Sequence, residues 1–231
     1  MDSGKCWRRR LRTPTSCFLL LSLAASLSAS AQPAQDGIAT LEAFLSGVQS
    51  LQADFKQELW TGDQRLLQTD TGTLSLKRPN RFRWTYDDEP ADDDSAASEA
   101  AKLVVAADGT RLWIYDVELE EVTVTPFDDT VGTSPAMLLS GDRDVREEFD
   151  VVDAYAADGL DWIKLEPTGS SDFSSVLIGF RGTEPRRLEL VDGLGQVTRI
   201  ELDNIVVNAQ IDDSVFALDV PAGVNVVGDE G

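Results

Sequence analysis

Apolar residues recur at Ile38, Leu41, Phe44, Leu45, Val48 and Leu51, three or four positions apart, a spacing that predicts one amphipathic helix. Asp36 is placed to cap its start, and the helix is expected to run on toward Phe55 or Leu59. Beyond it the period falls to two. Leu74/Leu76, Phe82/Trp84/Tyr86 and Val122/Val124 each alternate with polar neighbours, as half-buried antiparallel strands do. Further strands are predicted over 103–106, 111–115, 149–152, 162–165, 175–180, 187–191, 196–202 and 205–210, with Asp108-Gly109, Asp158-Gly159 and Asp192-Gly193 as turns. About eleven strands with few helices make a mainly β (α+β) chain, built as one large curved sheet, a sandwich or a barrel.

One interruption stands out. Residues 133–141 (TSPAMLLSG) combine a hydroxyl cap, a proline in the first turn and a glycine after the last, which predicts a short apolar helix between strands. Such a helix either plugs one end of a barrel as ordinary core or serves as a lid, since two turns hung on loops are cheaply displaced.

Residues 76–84 (LKRPNRFRW) set a cationic turn directly before aromatics on alternate positions. In a strand Phe82 and Trp84 project to one face, and Arg81 and Arg83 to the other. The apolar face either packs on the first helix or lines a concave surface open to hydrocarbon. Arg78, held extended by Pro79, sits at a strand end.

The first residues carry Lys5, Arg8, Arg9, Arg10 and Arg12, then an 11-residue apolar run from Cys17 to Leu27, then Ala29-Ser30-Ala31. This reads as a cleaved export signal over residues 1–31, because a membrane-crossing helix needs ~20 apolar residues. The triple arginine leaves twin-arginine export open beside the general route. Both cysteines fall inside the leader, and Cys17 lacks the small-residue context of a lipidation site. The remaining 32–231 are expected to form a single soluble domain in an oxidising compartment, with a core and no disulfide.

Removing the leader's five basic residues and Asp2 from 20 basic and 41 acidic groups leaves 15 and 40, a net charge of -25. That field repels phosphates and argues against nucleic acid. The acidic run beginning at Asp87 and ending near Lys102 reads as a solvated loop, lacking core-forming residues. A calcium loop is the sharper alternative, but the run lacks that motif's glycine and terminal glutamate.

The chain contains no histidine. This removes the usual general base and a common metal ligand together, and with them histidine-assisted serine and cysteine nucleophiles. Paired carboxylates could still run glycoside hydrolysis, but among so many acids a pair carries little information. Gly193-Leu194-Gly195 is too short to cradle a phosphate and precedes a strand pattern. No metal and no cofactor are expected, and binding or carriage is favoured over catalysis.

In order along the chain, LKRPNRFRW, residues 107–116 (ADGTRLWIYD) and residues 133–139 resemble the LolA family, periplasmic carriers of outer-membrane lipoproteins in Gram-negative bacteria. Phe55-Lys56-Gln57 is similar to that family's helix-exit Phe-x-Gln, and residues 213–218 (DSVFAL) with 221–224 (PAGV) to its C-terminal motif. The resemblance implies an unclosed antiparallel β-barrel whose apolar inner face, covered by helices, holds lipoprotein acyl chains. It implies a periplasmic monomer that is not an enzyme, receiving cargo from the inner-membrane LolCDE transporter and delivering it to the outer-membrane receptor LolB. LolB shares the fold but is itself a lipoprotein, and the missing lipidation cysteine points to the soluble carrier.

Carried onto this sequence, the resemblance makes Arg78 a latch for the lid, its guanidinium fork donating to backbone carbonyls. It places Leu74, Leu76, Phe82, Trp84 and Trp113 in the acyl-chain cavity, and Pro135, Met137 and Leu138 on the lid helix. Which of Leu112, Trp113, Ile114 and Tyr115 face inward stays open, since all four are apolar or aromatic. The acidic insertion between Tyr86 and Leu103 departs from the family pattern. A lipoprotein sensor of the same architecture and a carboxylate-only glycoside hydrolase are the alternatives.

Overall fold

Leu51, Ala53 and Phe55 are buried while Gln52, Asp54 and Lys56 are exposed, so the chain after the first helix already alternates with period two. The expected continuation of that helix to Phe55 or Leu59 is therefore corrected. Helix α1 (Gln32–Gly47) stops at a glycine, and strand β1 (Ser50–Trp60) follows almost at once. Asp36 lies inside α1 instead of capping it, and Phe55-Lys56-Gln57 sits mid-strand rather than at a helix exit. The computed structural model describes residues 32–87, 101–127, 139–140 and 148–228, with side chains from Gly37 onward.

The remaining strands are β2 (Leu66–Lys77), β3 (Arg81–Asp87), β4 (Ala101–Asp108), β5 (Arg111–Asp116), β6 (Glu121–Pro126), β7 (Phe149–Ala157), β8 (Leu160–Pro167), β9 (Phe173–Arg181), β10 (Glu184–Asp192), β11 (Val197–Val207) and β12 (Asn225–Gly228). They form one twelve-stranded sheet in the order β12-β6-β5-β4-β3-β2-β1-β11-β10-β9-β8-β7. Neighbours are antiparallel except β12, which runs parallel to β6. The sheet is unclosed, since β12 and β7 end it without pairing to each other. Within 31–231, which form one compact unit, both halves of this sheet nevertheless share one core. Leu76 and Phe82 from β2 and β3 cluster with Ile163, Ile178 and Leu188 from β8, β9 and β10, with Leu41 and Phe44 of α1, and with Val48 just past it. A flat sheet could not bring them together, so it is curved around the helix.

Two local features explain how the elements fit. A Cβ on Gly37 would lie 2.6 Å from the Cβ of Ala154 and 3.3 Å from Cγ1 of Ile163, so the missing side chain is what lets α1 rest directly on β7 and β8. The second corrects the expected break between strands 196–202 and 205–210. Asp203-Asn204 looks like a turn in sequence, but here it is a bulge within the continuous β11: Asn204 adopts a left-handed backbone (φ 49°), opposite a register shift between Gln52 and Asp54. Its side-chain amide donates to Asp54 at 2.6 Å. Merging these two strands and adding β1 and β12 gives twelve where about eleven were expected.

Candidate functional site

The inner face of the β1–β5 half is assembled in rows by strand register. Leu51, Leu76, Phe82, Ala107 and Leu112 stand side by side in the first row, and Ala53, Leu74, Trp84, Val105 and Ile114 in the second. Phe55, Gly72, Tyr86 and Leu103 form the third. Two rows are thus wholly apolar.

In the third row Gly72 makes the packing possible. A Cβ there would run into the Thr85 carbonyl oxygen and the Phe55 ring. Without one, the Phe55 ring settles against Trp84 (centroids 5.0 Å apart, planes at 55°) and edge-on to Tyr86 (5.1 Å, 77°).

Beyond this aromatic trio the face turns polar. Asp70, 6% exposed, accepts from Lys102 Nζ at 2.5 Å and from Gln68 Nε2 at 2.9 and 3.0 Å. The Tyr86 hydroxyl donates to Gln57 Oε1 at 3.3 Å. Burial, reinforced by the Asp70 charge, pushes the Tyr86 phenol up to about 12. The apolar face therefore ends at this border, where groups that prefer water or each other begin.

Leu74, Leu76 and Phe82 are at most 1% exposed, within a cluster that also contains Leu41 and Phe44 of α1 and Leu139. Ile114, in Trp84's row, is 40% exposed, so the floor emerges to solvent at β5. A ligand reaches the deepest positions only when what covers them moves.

The turn between β2 and β3 holds that cover from two sides. Arg78 Nε donates to the Val48 carbonyl just past α1 at 2.9 Å, and its guanidinium lies 5.1 Å over the Phe44 ring. Burial lowers the Arg78 pKa to about 10. The Asn80 amide donates to the Ser140 carbonyl at 3.1 Å, so the same turn also touches the segment carrying Leu139. Asn208 completes the grip on α1: its amide donates to the Gly47 carbonyl at 3.0 Å and its oxygen accepts from the Gln49 amide at 2.8 Å.

On the opposite face, the other three cations of LKRPNRFRW bind the chain's own C-terminal segment. Lys77 donates to Ile211 O (2.8 Å) and Asp213 (2.5 Å), Arg81 pairs with Asp213 at 2.9 Å, and Arg83 donates to Val215 O at 3.5 Å. The Lys77 hydrogen bond holds the Asp213 carboxyl below its usual range. A short 3-10 helix, Asp213–Phe216, is anchored there with Phe216 fully buried.

The family model for "Outer membrane lipoprotein carrier protein LolA" matches residues 46–219, which span the whole inner floor and both grips on α1. This chain belongs to the LolA family. Proteins named outer-membrane lipoprotein carrier protein are similar over nearly the full length. The one from Dechloromonas aromatica is 35% identical over 93% of this chain and 94% of its own. The one from Halorhodospira halophila is 35% identical over 92% and 94%. Among solved structures, a LolA-superfamily protein from Nitrosomonas europaea superposes with a TM-score of 0.45 at 12% identity, covering 81% of this chain and 98% of its own.

In this LolA-family chain Leu74, Leu76, Phe82 and Trp84 share the inner face. Trp113 does not, and its placement in the cavity is corrected. It is cross-strand from Ala106 and Val124, in a second cluster with Val104 and Val122 that is covered by Leu218, Val224 and Val226 of the C-terminal segment. Its neighbour Leu112 is the inward residue, because adjacent strand positions point to opposite faces. Pro135, Met137 and Leu138, the expected lid helix, and residues 88–100 of the acidic insertion lie outside the described residues; Leu139 and Ser140 are helical. Sequence reasoning missed Phe55 and Asn208 as parts of the site. The isolated Gly72 in the β2 pattern was the available signal for a ring lying close to the backbone.

Proposed function

We propose that this protein is a lipoprotein carrier of the periplasm. It takes acyl chains onto the inner face of the β1–β5 half, shields them from water between the two membranes, receives them from LolCDE and releases them to LolB. It performs no chemical step on its cargo. The observation that carries this reading is the two-row apolar floor, continuous from Leu51 to Leu112 and Ala53 to Ile114, which shares its core with a helix packed through Leu41 and Phe44 and fastened by polar contacts at one end.

Each methylene moved from water onto such a floor contributes ~0.8 kcal/mol. A chain of ordinary fatty-acid length thus supplies free energy to offset both the hydrogen bonds that close the site and the apolar packing of Leu41 and Phe44 that it replaces. No nucleotide is needed in this protein for opening: cargo shifts the balance by its preference for the open form. Arg78 is the latch in this scheme, and Leu74, Leu76, Phe82 and Trp84 form the wall.

Release of lipoprotein from inner-membrane vesicles tests the reading. The purified protein, added with active transporter and ATP, is expected to bring lipoprotein into the soluble fraction, and Phe82→Glu, which sets a charge against the acyl chains, is expected to abolish that release even by the fraction of the variant that folds. Binding to the vesicles without extraction, or normal release by the folded Phe82→Glu variant, would overturn it.

A further inference from the structure

Trp84 is buried at 4% exposure in the second apolar row, between Leu74 and Val105 and against the Phe55 ring, and its indole N–H has no hydrogen-bond acceptor. Among the described residues, two other indoles are partnered: Trp60 donates to Glu58 at 3.1 Å and Trp162 to the Ala157 carbonyl at 3.2 Å. A phenylalanine would fill an apolar floor equally well without an orphaned donor. A buried N–H is normally matched by an acceptor, and here the walls supply none.

We propose that the Trp84 indole N–H is the donor for an ester carbonyl of acylated cargo, so that the floor recognises the acyl linkage as well as the hydrocarbon. This rests on the carrier reading. An acyl chain is all C–H except at its carboxyl end, where the carbonyl oxygen is the strong acceptor it brings into a dry site.

The position of Trp84 fits that end of the ligand. It stands one row from Tyr86 and two from the Gln57 and Asp70 pair that Lys102 joins, while Leu51, Leu76 and Phe82 form the row on its other side, toward Arg78. A chain whose tail lies over those leucines and Phe82 brings its carbonyl to Trp84. Its glyceryl and peptide parts then lie toward Lys102 and Gln57. A site built to satisfy a specific polar atom discriminates against analogues that lack it, because its own buried group is then left unpaired.

The test compares two cysteinyl peptides with a free α-amine, one bearing an S-glyceryl group with two ester-linked palmitoyl chains and the other the ether-linked counterpart of equal chain length. Affinities are measured by titration for the mature wild-type protein and for Trp84→Phe, and the indole 15N–1H signals of the wild type are followed during loading. The expected result is a preference of about tenfold for the ester ligand in the wild type, the size of one buried hydrogen bond. That preference is expected to vanish in Trp84→Phe through loss of ester affinity alone. The Trp84 indole proton should also shift downfield with the ester ligand and not with the ether.

Equal wild-type affinities, a preference surviving in Trp84→Phe, or an indole signal unmoved by the ester ligand would each overturn the proposal while leaving the carrier reading standing. The spectroscopic arm needs no variant and is independent of how Trp84→Phe folds. Failure of the wild type to bind either peptide would defeat the carrier reading itself, and this proposal with it.

Discussion

The Arg78 guanidinium donates through Nε to the Val48 carbonyl and lies over the Phe44 ring, so one strand-end side chain grips both the exit and the last turn of α1. A hydrogen bond from a charged group is worth ~1.5–3 kcal/mol, and a cation over an aromatic face adds ~0.5–2. Arg78→Leu loses both. If α1 must yield for cargo to reach the floor, the variant is expected to bind acylated peptide roughly tenfold or more tightly and to hand it on more slowly. Transfer rates from loaded wild-type and Arg78→Leu protein to receptor measure this. Equal rates would remove Arg78 from the latch.

Asn208 is a second, separable fastener. It holds a left-handed backbone (φ 57°) while its side chain bonds both the Gly47 carbonyl and the Gln49 amide. Asn208→Gly keeps the backbone conformation accessible and deletes the side-chain bonds. Amide exchange at Gln49 is expected to accelerate by about tenfold, the cost of one hydrogen bond, with exchange in β8 and β9 unchanged. Acceleration throughout the sheet would show a general loss of stability instead of a loosened hinge.

Gly72→Ala tests the third row of the floor. The added methyl would meet the Thr85 carbonyl oxygen and the Phe55 ring, neither free to retreat without disturbing β3 or the aromatic trio. A destabilisation of ~1–3 kcal/mol is expected in denaturant unfolding. A neutral substitution would mean that Phe55 has room to rotate aside.

Trp113, on the outer face, separates stability from cargo binding. Trp113→Ala should cost ~3–5 kcal/mol, because it opens a cavity under the C-terminal segment, yet acyl-peptide affinity of the folded fraction should stay at the wild-type value. A binding defect disproportionate to the unfolded fraction would place the outer face in communication with the floor.

The Tyr86 phenol titrates at about 12, against an ordinary value of 10.0, because burial and then the Asp70 charge disfavour phenolate. Its folded pKa is raised, so the stabilisation of the neutral form is intact below the unfolded value of 10.0 and is lost as pH rises toward about 12. Ultraviolet difference titration, with Tyr86→Phe identifying the signal, should show this late step. Asp70→Asn should move it downward by removing the nearby negative charge. An unshifted step in Asp70→Asn would mean that burial alone sets the value.

Much of this architecture was written in local pattern. The two-residue alternation of Leu74/Leu76 and Phe82/Trp84 determined both the strands and the shared face, since successive side chains in a strand must point to opposite sides. The same rule put Arg81 and Arg83 on the other face, although nothing local said that Asp213 and Val215, more than 130 positions away, would meet that face. Where pattern was ambiguous, packing decided. Residues 51–55 satisfy a helical and a strand reading alike until Gly47 ends the helix and β2 and β11 pair with them on both sides. Leu112 and Trp113 are interchangeable as apolar neighbours, and only the register against Ala106 and Ala107 assigned one to each core. The orphaned Trp84 donor and the Asn208 clamp were invisible for the same reason: a hydrogen bond, made or missing, depends on which distant atoms the curved sheet brings within 3 Å, and sequence periodicity carries direction but not distance.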